Sequence, residues 1–155
     1  MAAVRKANST AKVFVAQVQT ALRAATRPTP TLQGIDCSRL WVQGVIVSST
    51  ANGTECVVDD GTGVAVVDTR VFLKNTPPGT GKRPAVGDYI MVIGPLQKKR
   101  LQQTADTQPT DVNALLPPPL RILAHQVVQL DTKQQREPMW FLEVIEYWTA
   151  VVAQT

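Results

Sequence analysis

Few residues in this chain are of a type and spacing that could do covalent or metal chemistry. Cys37 and Cys56 stand 19 positions apart with no second Cys or His at ligand spacing, and His125 is the single histidine. That count excludes a zinc-finger framework and leaves a Cys–His nucleophile pair to a coincidence of folding. Both cysteines therefore read as reduced packing residues. His125, in the apolar-rich run LRILAHQVV, reads as a strand side chain rather than a ligand. Asp59-Asp60 could open a metal site, but adjacent residues at a strand end point to opposite faces, and no third acid accompanies them. Turn chemistry accounts for an Asp-Asp-Gly at a hairpin.

Pro77-Pro78-Gly79-Thr80-Gly81-Lys82 has the outline of an ATPase phosphate loop, G-x-x-x-x-G-K-[ST], and fails where the chemistry is done. Thr76 stands at the leading glycine, and Arg83 replaces the magnesium-binding hydroxyl. Pro84 bars a helix N-terminus from aiming its amides at a phosphate. The segment reads as a loop, and nucleotide binding through Gly79–Lys82 is a minor rival. The sequon Asn52-Gly53-Thr54 reads as a turn. No base, nucleophile or metal cage remains, so neither an enzyme nor a cofactor is expected.

Binding is left. The formal charge of +4 invites a nucleic-acid reading, but the bases gather in Arg70–Lys74–Lys82–Arg83 and Lys98-Lys99-Arg100, within loop-like composition. Residues 51–68 hold Glu55, Asp59, Asp60 and Asp68, no base and no aromatic. A surface that grips single strands needs exposed aromatics and a basic groove, so direct tight binding is disfavoured. Lys74, Lys82, Arg83, Lys98, Lys99 and Arg100 are left as candidates for weak, salt-sensitive phosphate contacts. The aromatics concentrate instead near the C-terminus, where Trp140, Phe141, Tyr147 and Trp148 are four of the eight in the chain.

The elements that position these residues follow from periodicity. With 155 residues, 44% hydrophobic and 18% charged, the chain suits one folded domain. Arg5 and Lys6 have no apolar run behind them, and no stretch approaches the ~20 apolar residues of a membrane span, so a soluble intracellular protein is expected. Residues 1–10 read as a flexible N-terminus and 153–155 as a tail. Between them, 11–152 form one domain, with long loops at 70–84 and 98–119. Residues 11–25 show the helical spacing of Val15, Val18, Leu22 and Ala25, with Ser9 or Thr10 as cap. Pro28 and Pro30 stop that helix, and a connector runs to Ser38. Strands are expected over 40–48, with a bend or bulge at Gly44, then over 55–59, 64–68, 89–96 and 120–130. Asn52-Gly53 and Asp60-Gly61-Thr62-Gly63 supply the turns.

A helix over about 137–152 closes the chain, with Pro138 in its first turn. One stripe is Trp140, Val144, Tyr147 and Val151; the next is Phe141, Ile145, Trp148 and Val152, with Glu143 and Glu146 facing away. Its apolar arc exceeds what one core requires, so one stripe is expected to cover the barrel and the other a partner helix. Trp140, Val144, Ile145, Trp148, Val151 and Val152 are the partner-interface candidates. The expected architecture is all-β: a five-stranded Greek-key barrel of the oligonucleotide/oligosaccharide-binding (OB) type, with an N-terminal and a C-terminal helix.

Four blocks carry a resemblance: Leu40-Trp41-Val42-Gln43-Gly44-Val45-Ile46-Val47, Val57-Val58-Asp59-Asp60-Gly61-Thr62-Gly63, Pro84 through Gly94, and Glu137-Pro138-Met139-Trp140-Phe141-Leu142-Glu143-Val144. In this order they resemble the RecQ-mediated genome instability protein 2 family over about 40–70, 84–97 and 120–148, with a fainter match at 11–17. The phrases W-x-Q-G and V-G-x-Y-x-M-V-x-G carry most of the weight. The loops at 70–83 and 98–119 look longer than the family's, and 148–155 departs from its ending.

The resemblance implies a single OB domain without enzymatic activity, located in the nucleus. It implies helical pairing with the C-terminal OB domain of RecQ-mediated genome instability protein 1. Through that protein it implies topoisomerase III-alpha and a Bloom-type RecQ helicase as partners. Such a complex serves DNA replication, DNA repair and homologous recombination: it dissolves double Holliday junctions, suppresses crossovers and protects genome stability. The resemblance further implies a site for a peptide of a Fanconi anaemia-type translocase at Lys12, Trp140 and Glu146. The rival expectation is a single-stranded-DNA-binding OB subunit of replication protein A or telomere-capping type.

Overall fold

The computed structural model describes residues 10–24, 31–77, 83–97, 120–131 and 135–153. The element order is β1 (Ala11–Lys12), α1 (Val15–Ala24), β2 (Thr31–Leu32), β3 (Ile35–Asp36), β4 (Arg39–Ser49), β5 (Glu55–Asp59), β6 (Val64–Asp68), α2 (Arg70–Asn75), β7 (Tyr89–Pro95), β8 (Leu120–Leu123), β9 (Gln126–Gln129) and α3 (Arg136–Ala153). Lys82, Lys98, Lys99, Arg100, the loop 98–119 and most of the phosphate-loop-like segment lie outside the described residues.

The long strand β4 organises the sheet. Its first part pairs with β7 from Arg39↔Pro95 to Val45↔Tyr89, and its second part pairs with β5 from Val45↔Asp59 to Ser49↔Cys56. The strand order is β8-β6-β5-β4-β7-β9. Strands β8 and β9 are two halves of the segment expected as one strand. The first runs parallel to β6, and the second antiparallel to β7. One stretch of chain thus grips both ends of the sheet and curls it. The break at Ala124–His125 sits against Gly94, where the His125 amide donates to the Ile93 carbonyl at 2.9 Å. Any side chain at Gly94 would run into the Leu123 carbonyl. His125 is therefore an exposed residue in the break, not a strand side chain, and its Nδ1 lies 3.4 Å from Arg39 Nη1.

The outcome is mixed α/β rather than all-β, a curled sheet carrying helices at both ends. Ala11 and Lys12, expected in the first helix, instead pair in parallel with Leu40 and Trp41 as β1. A residue pair this short has no propensity of its own; the exposed edge of β4 recruits it. The connector before Ser38 contains the β2–β3 hairpin, turning at Gln33 and Gly34 with positive φ at both. Arg70–Asn75, expected as loop, is the helix α2, which tucks Phe72 against the core. The bulge expected at Gly44 falls between Ile46 and Ser48. Gly44 is needed for another reason: the Asp59 backbone approaches so closely that a Cβ would overlap it.

The core gathers the inward residues Leu40, Val42, Ile46, Val58, Val67, Ile90, Val92 and Ile122, with Val15 and Val18 of α1. Cys37 and Cys56 are buried free thiols, and burial pushes both up to about 11. Among the described residues no helix is long and apolar enough to cross a membrane.

Candidate partner-binding face

The helix α3 is seated by a line of residues four apart. Trp140 and Trp148 are 1% and 8% exposed, and Val144 between them is fully buried. Such spacing keeps side chains on one face of a helix. Trp140 stacks on Trp41 of β4 with ring centroids 6.0 Å apart. The Trp148 indole N–H donates to the Lys12 carbonyl at 2.8 Å, tying α3 to β1. Tyr147 packs edge-on to Trp148, and Phe141 lies 5.0 Å from Phe14 at the start of α1.

Lys12 is engaged on two sides. Its ammonium sits 4.6 Å from the Trp41 ring centroid and 3.7 Å from Glu143 Oε2. Glu143 therefore turns back to the body of the protein instead of facing away. Glu146 does face solvent, without a hydrogen bond or ion pair among the described residues.

The six interface candidates thus divide. Trp140, Val144 and Trp148 belong to the chain's own core, Val151 is half-buried, and Ile145 and Val152 are exposed. The expectation that a tryptophan-bearing stripe lies free is corrected. Indoles carry the most apolar surface on this helix, and the curled sheet takes them first. The free stripe is aliphatic, and it includes two residues that the sequence reading missed: Met139 and Leu142. Leu142 is 60% exposed and Ile145 55%. The signal was present in the spacing of Pro138, Leu142, Ile145, Thr149 and Val152, a four-three-four-three alternation of the kind that lines up residues along one side of a helix. Beside the seam an open groove of about 390 Å³ runs between Phe14 and Gln17 of α1 and Ile145, Trp148, Thr149 and Val152 of α3.

Of the three residues singled out for peptide recruitment, Lys12 and Trp140 both contact the Trp41 ring, and Trp140 is closed to solvent. Glu146 stands on the outward side of α3, apart from both of these contacts.

The turn between β5 and β6 holds both helices in place. The Asp60 carboxylate accepts the Val15 amide at 2.7 Å through Oδ2, and through Oδ1 the Thr62 amide, the Thr62 hydroxyl and the Gly63 amide. The Thr62 hydroxyl accepts the Ala16 amide at 3.2 Å. The first free amides of α1 are capped by this turn and not by Thr10, whose hydroxyl instead accepts a hydrogen bond from Arg39 Nε; Ser9 lies outside the described residues. The Phe141 ring covers Gly61 from the α3 side.

Internal pairing also quenches acids on the outer sheet. Asp68 is buried and accepts three hydrogen bonds from the Arg70 side chain, one from the Arg70 amide and one from Gln97. The Arg70 guanidinium holds its carboxyl well below the usual carboxylate range. Glu55 pairs with Arg121 at 2.9 Å. Of the four acids counted against phosphate, only Asp59 is exposed without a cation among the described residues, and its carboxylate accepts the Gly61 amide. The face repels phosphate less than its composition suggests. It still offers no aromatic between 51 and 68 on which a base could stack. Lys74 and Arg83 are exposed.

A family model described as RecQ-mediated genome instability protein 2 matches residues 9–148. No curated protein matches the sequence. Among solved structures the chain is similar to one in a replication protein A heterotrimer bound to single-stranded DNA, with a TM-score of 0.63 and 16% identity over 93% of this chain and 98% of that one. It is also similar to a chain of the S. pombe Stn1–Ten1 complex, with a TM-score of 0.62 and 12% identity over 93% and 94% of the two chains. For the telomere capping protein Ten1 of the same yeast the TM-score is 0.51 at 11% identity, covering 91% and 99%. At such identities the likeness speaks for the fold alone: a curled sheet of the OB kind.

Proposed function

This chain belongs to the RecQ-mediated genome instability protein 2 family, and we propose from that membership that it is a non-enzymatic scaffold subunit of a RecQ helicase–topoisomerase III complex. Its partner in direct contact is the C-terminal OB domain of RecQ-mediated genome instability protein 1. Its work is to stabilise the assembly that dissolves double Holliday junctions in the nucleus. In this reading residues 11–152 are one unit, and β8 with β9 is the fifth strand of a Greek-key OB barrel.

The observation that carries the reading is the two-sided character of α3. One side is nailed to the barrel by Trp140, Val144 and Trp148, while the other exposes Met139, Leu142, Ile145 and Val152. A lone exposed aliphatic residue needs no explanation, but a contiguous apolar stripe at helix-pairing spacing does. Covering it with a partner helix removes that surface from water and requires no rearrangement of the barrel. Co-expression with the partner OB domain tests this. The complex should survive gel filtration with the natural sequence and fall apart with Leu142→Asp and Ile145→Asp.

Single-strand binding is the second reading, supported by the internal pairing of Asp60, Asp68 and Glu55, which leaves the sheet face less acidic. Fluorescence anisotropy with a labelled oligonucleotide separates the two. Sub-micromolar affinity of the isolated chain at physiological salt would favour it; weak, salt-sensitive binding would leave the scaffold reading standing.

A further inference from the structure

Between Pro138 and Ala153 the outward side of α3 bears one fully exposed charge, Glu146. It lies four residues after Leu142 and three before Thr149, so its carboxylate borders the middle of the apolar seam. Among the described residues no cation pairs with it. Lys12 is committed to Glu143 and the Trp41 ring, and the last turn of α3 contains no base.

A helix laid over Leu142 and Ile145 must shield Glu146 from water along one edge. A carboxylate shielded without a partner is costly, whereas one paired with a base is not. In helix seams a single polar residue among apolar ones fixes register, because only one alignment satisfies it. We infer that Glu146 sets the register of the docked helix by pairing with one Lys or Arg on an otherwise apolar partner face. The inference rests on the helix-docking reading above and names what that reading leaves open, the chemistry of the partner. The occupant is an amphipathic helix with an apolar anchor for the α1–α3 groove and a base at its flank.

Calorimetric titration of the C-terminal OB domain of RecQ-mediated genome instability protein 1 into the full chain tests it, with natural sequence, Glu146→Gln, Glu146→Lys and Ile145→Asp compared at low and high salt. Because Glu146 is exposed and makes no hydrogen bond or ion pair among the described residues, melting temperatures should match and confirm folding. Glu146→Lys should weaken binding about thirtyfold or more, and Glu146→Gln should weaken it with a reduced salt dependence. Exchanging the partner's base for Glu should rescue Glu146→Lys. Loss of binding in Ile145→Asp with full affinity in both Glu146 variants would overturn the register role and leave the seam intact. Full affinity in Ile145→Asp, or none in the natural chain, would remove the docking reading and this inference with it.

Discussion

The Asp60 carboxylate and the Val15 amide, 45 residues apart in the chain, meet at 2.7 Å. An Asp-Asp-Gly-Thr-Gly turn that looks like hairpin chemistry is thus also the N-terminal cap of α1. That helix has no acid in its own first turn, so Asp60 also supplies the negative charge that its positive dipole end favours.

Replacing Asp60 by Ala strands the buried Val15 amide and the partly buried amides of Thr62 and Gly63. The loss should be about 2 kcal/mol or more, since hydrogen bonds to a charged group are worth about 1.5–3 kcal/mol. Thr62→Ala should cost about 1 kcal/mol, the usual value for a lost cap. Urea denaturation followed by circular dichroism measures both, and an Asp60→Ala chain as stable as the natural one would refute the capping role.

Acid should reveal the Asp68 network. The Asp68 carboxyl is lowered in the folded state by Arg70, so its contribution is complete above the unfolded value of about 3.9 and fades as pH falls below it. The stability gap between the natural chain and Asp68→Asn should stay constant from neutral pH down to about pH 4. It should narrow under more acidic conditions. A gap that shrinks between pH 7 and pH 5 would contradict the assignment.

Both thiols should be silent in the folded protein. With Cys37 and Cys56 pushed up to about 11 and buried, almost no thiolate is present at pH 8. Ellman's reagent should titrate them only after unfolding, and prompt reaction of either one in the native state would show that its packing is misjudged.

The two sides of α3 should respond differently to substitution. Trp148→Ala removes a core indole and its hydrogen bond to Lys12, at a cost of about 3–5 kcal/mol. Leu142→Asp changes a surface position and should shift stability by no more than about 0.5 kcal/mol. Thermal melts of the isolated chain would show it, and equal losses in both variants would mean that Leu142 is not on a free face.

Much of the fold was legible because it is periodic. Residues 40–48, 55–59, 64–68 and 89–96 alternate or run apolar between turn residues, and they form β4 to β7 within a residue or two at most boundaries. What was not legible depends on distant neighbours. Ala11–Lys12 is a strand because Leu40–Trp41 is beside it, and the break at Ala124–His125 exists because Gly94 lets the Leu123 carbonyl in. Arg70–Asn75 is too short a helix to show a period, and its first amide is held by Asp68. At the candidate site the sequence marked α3 as too apolar for one core, but hydropathy could not tell which stripe faced inward. Volume decides that: the Trp140 indole stacks on Trp41, the Trp148 indole reaches the Lys12 carbonyl, and the smaller Leu142 and Ile145 are left outside. Four acids on strands β5 and β6 and their turn looked like a repulsive face, because Arg121 and the Val15 amide, which answer Glu55 and Asp60, come from distant parts of the chain.

The central claim is that the outward side of α3 is shared with another polypeptide. Alkylation of Leu142→Cys, with and without the C-terminal OB domain of RecQ-mediated genome instability protein 1, tests it at the residue concerned. Cys37 and Cys56, shielded in the core, serve as the unreactive background. The account predicts rapid labelling of position 142 in the free chain and labelling suppressed to that background in the complex. Unchanged labelling in a complex that has demonstrably formed would place the partner elsewhere and contradict it.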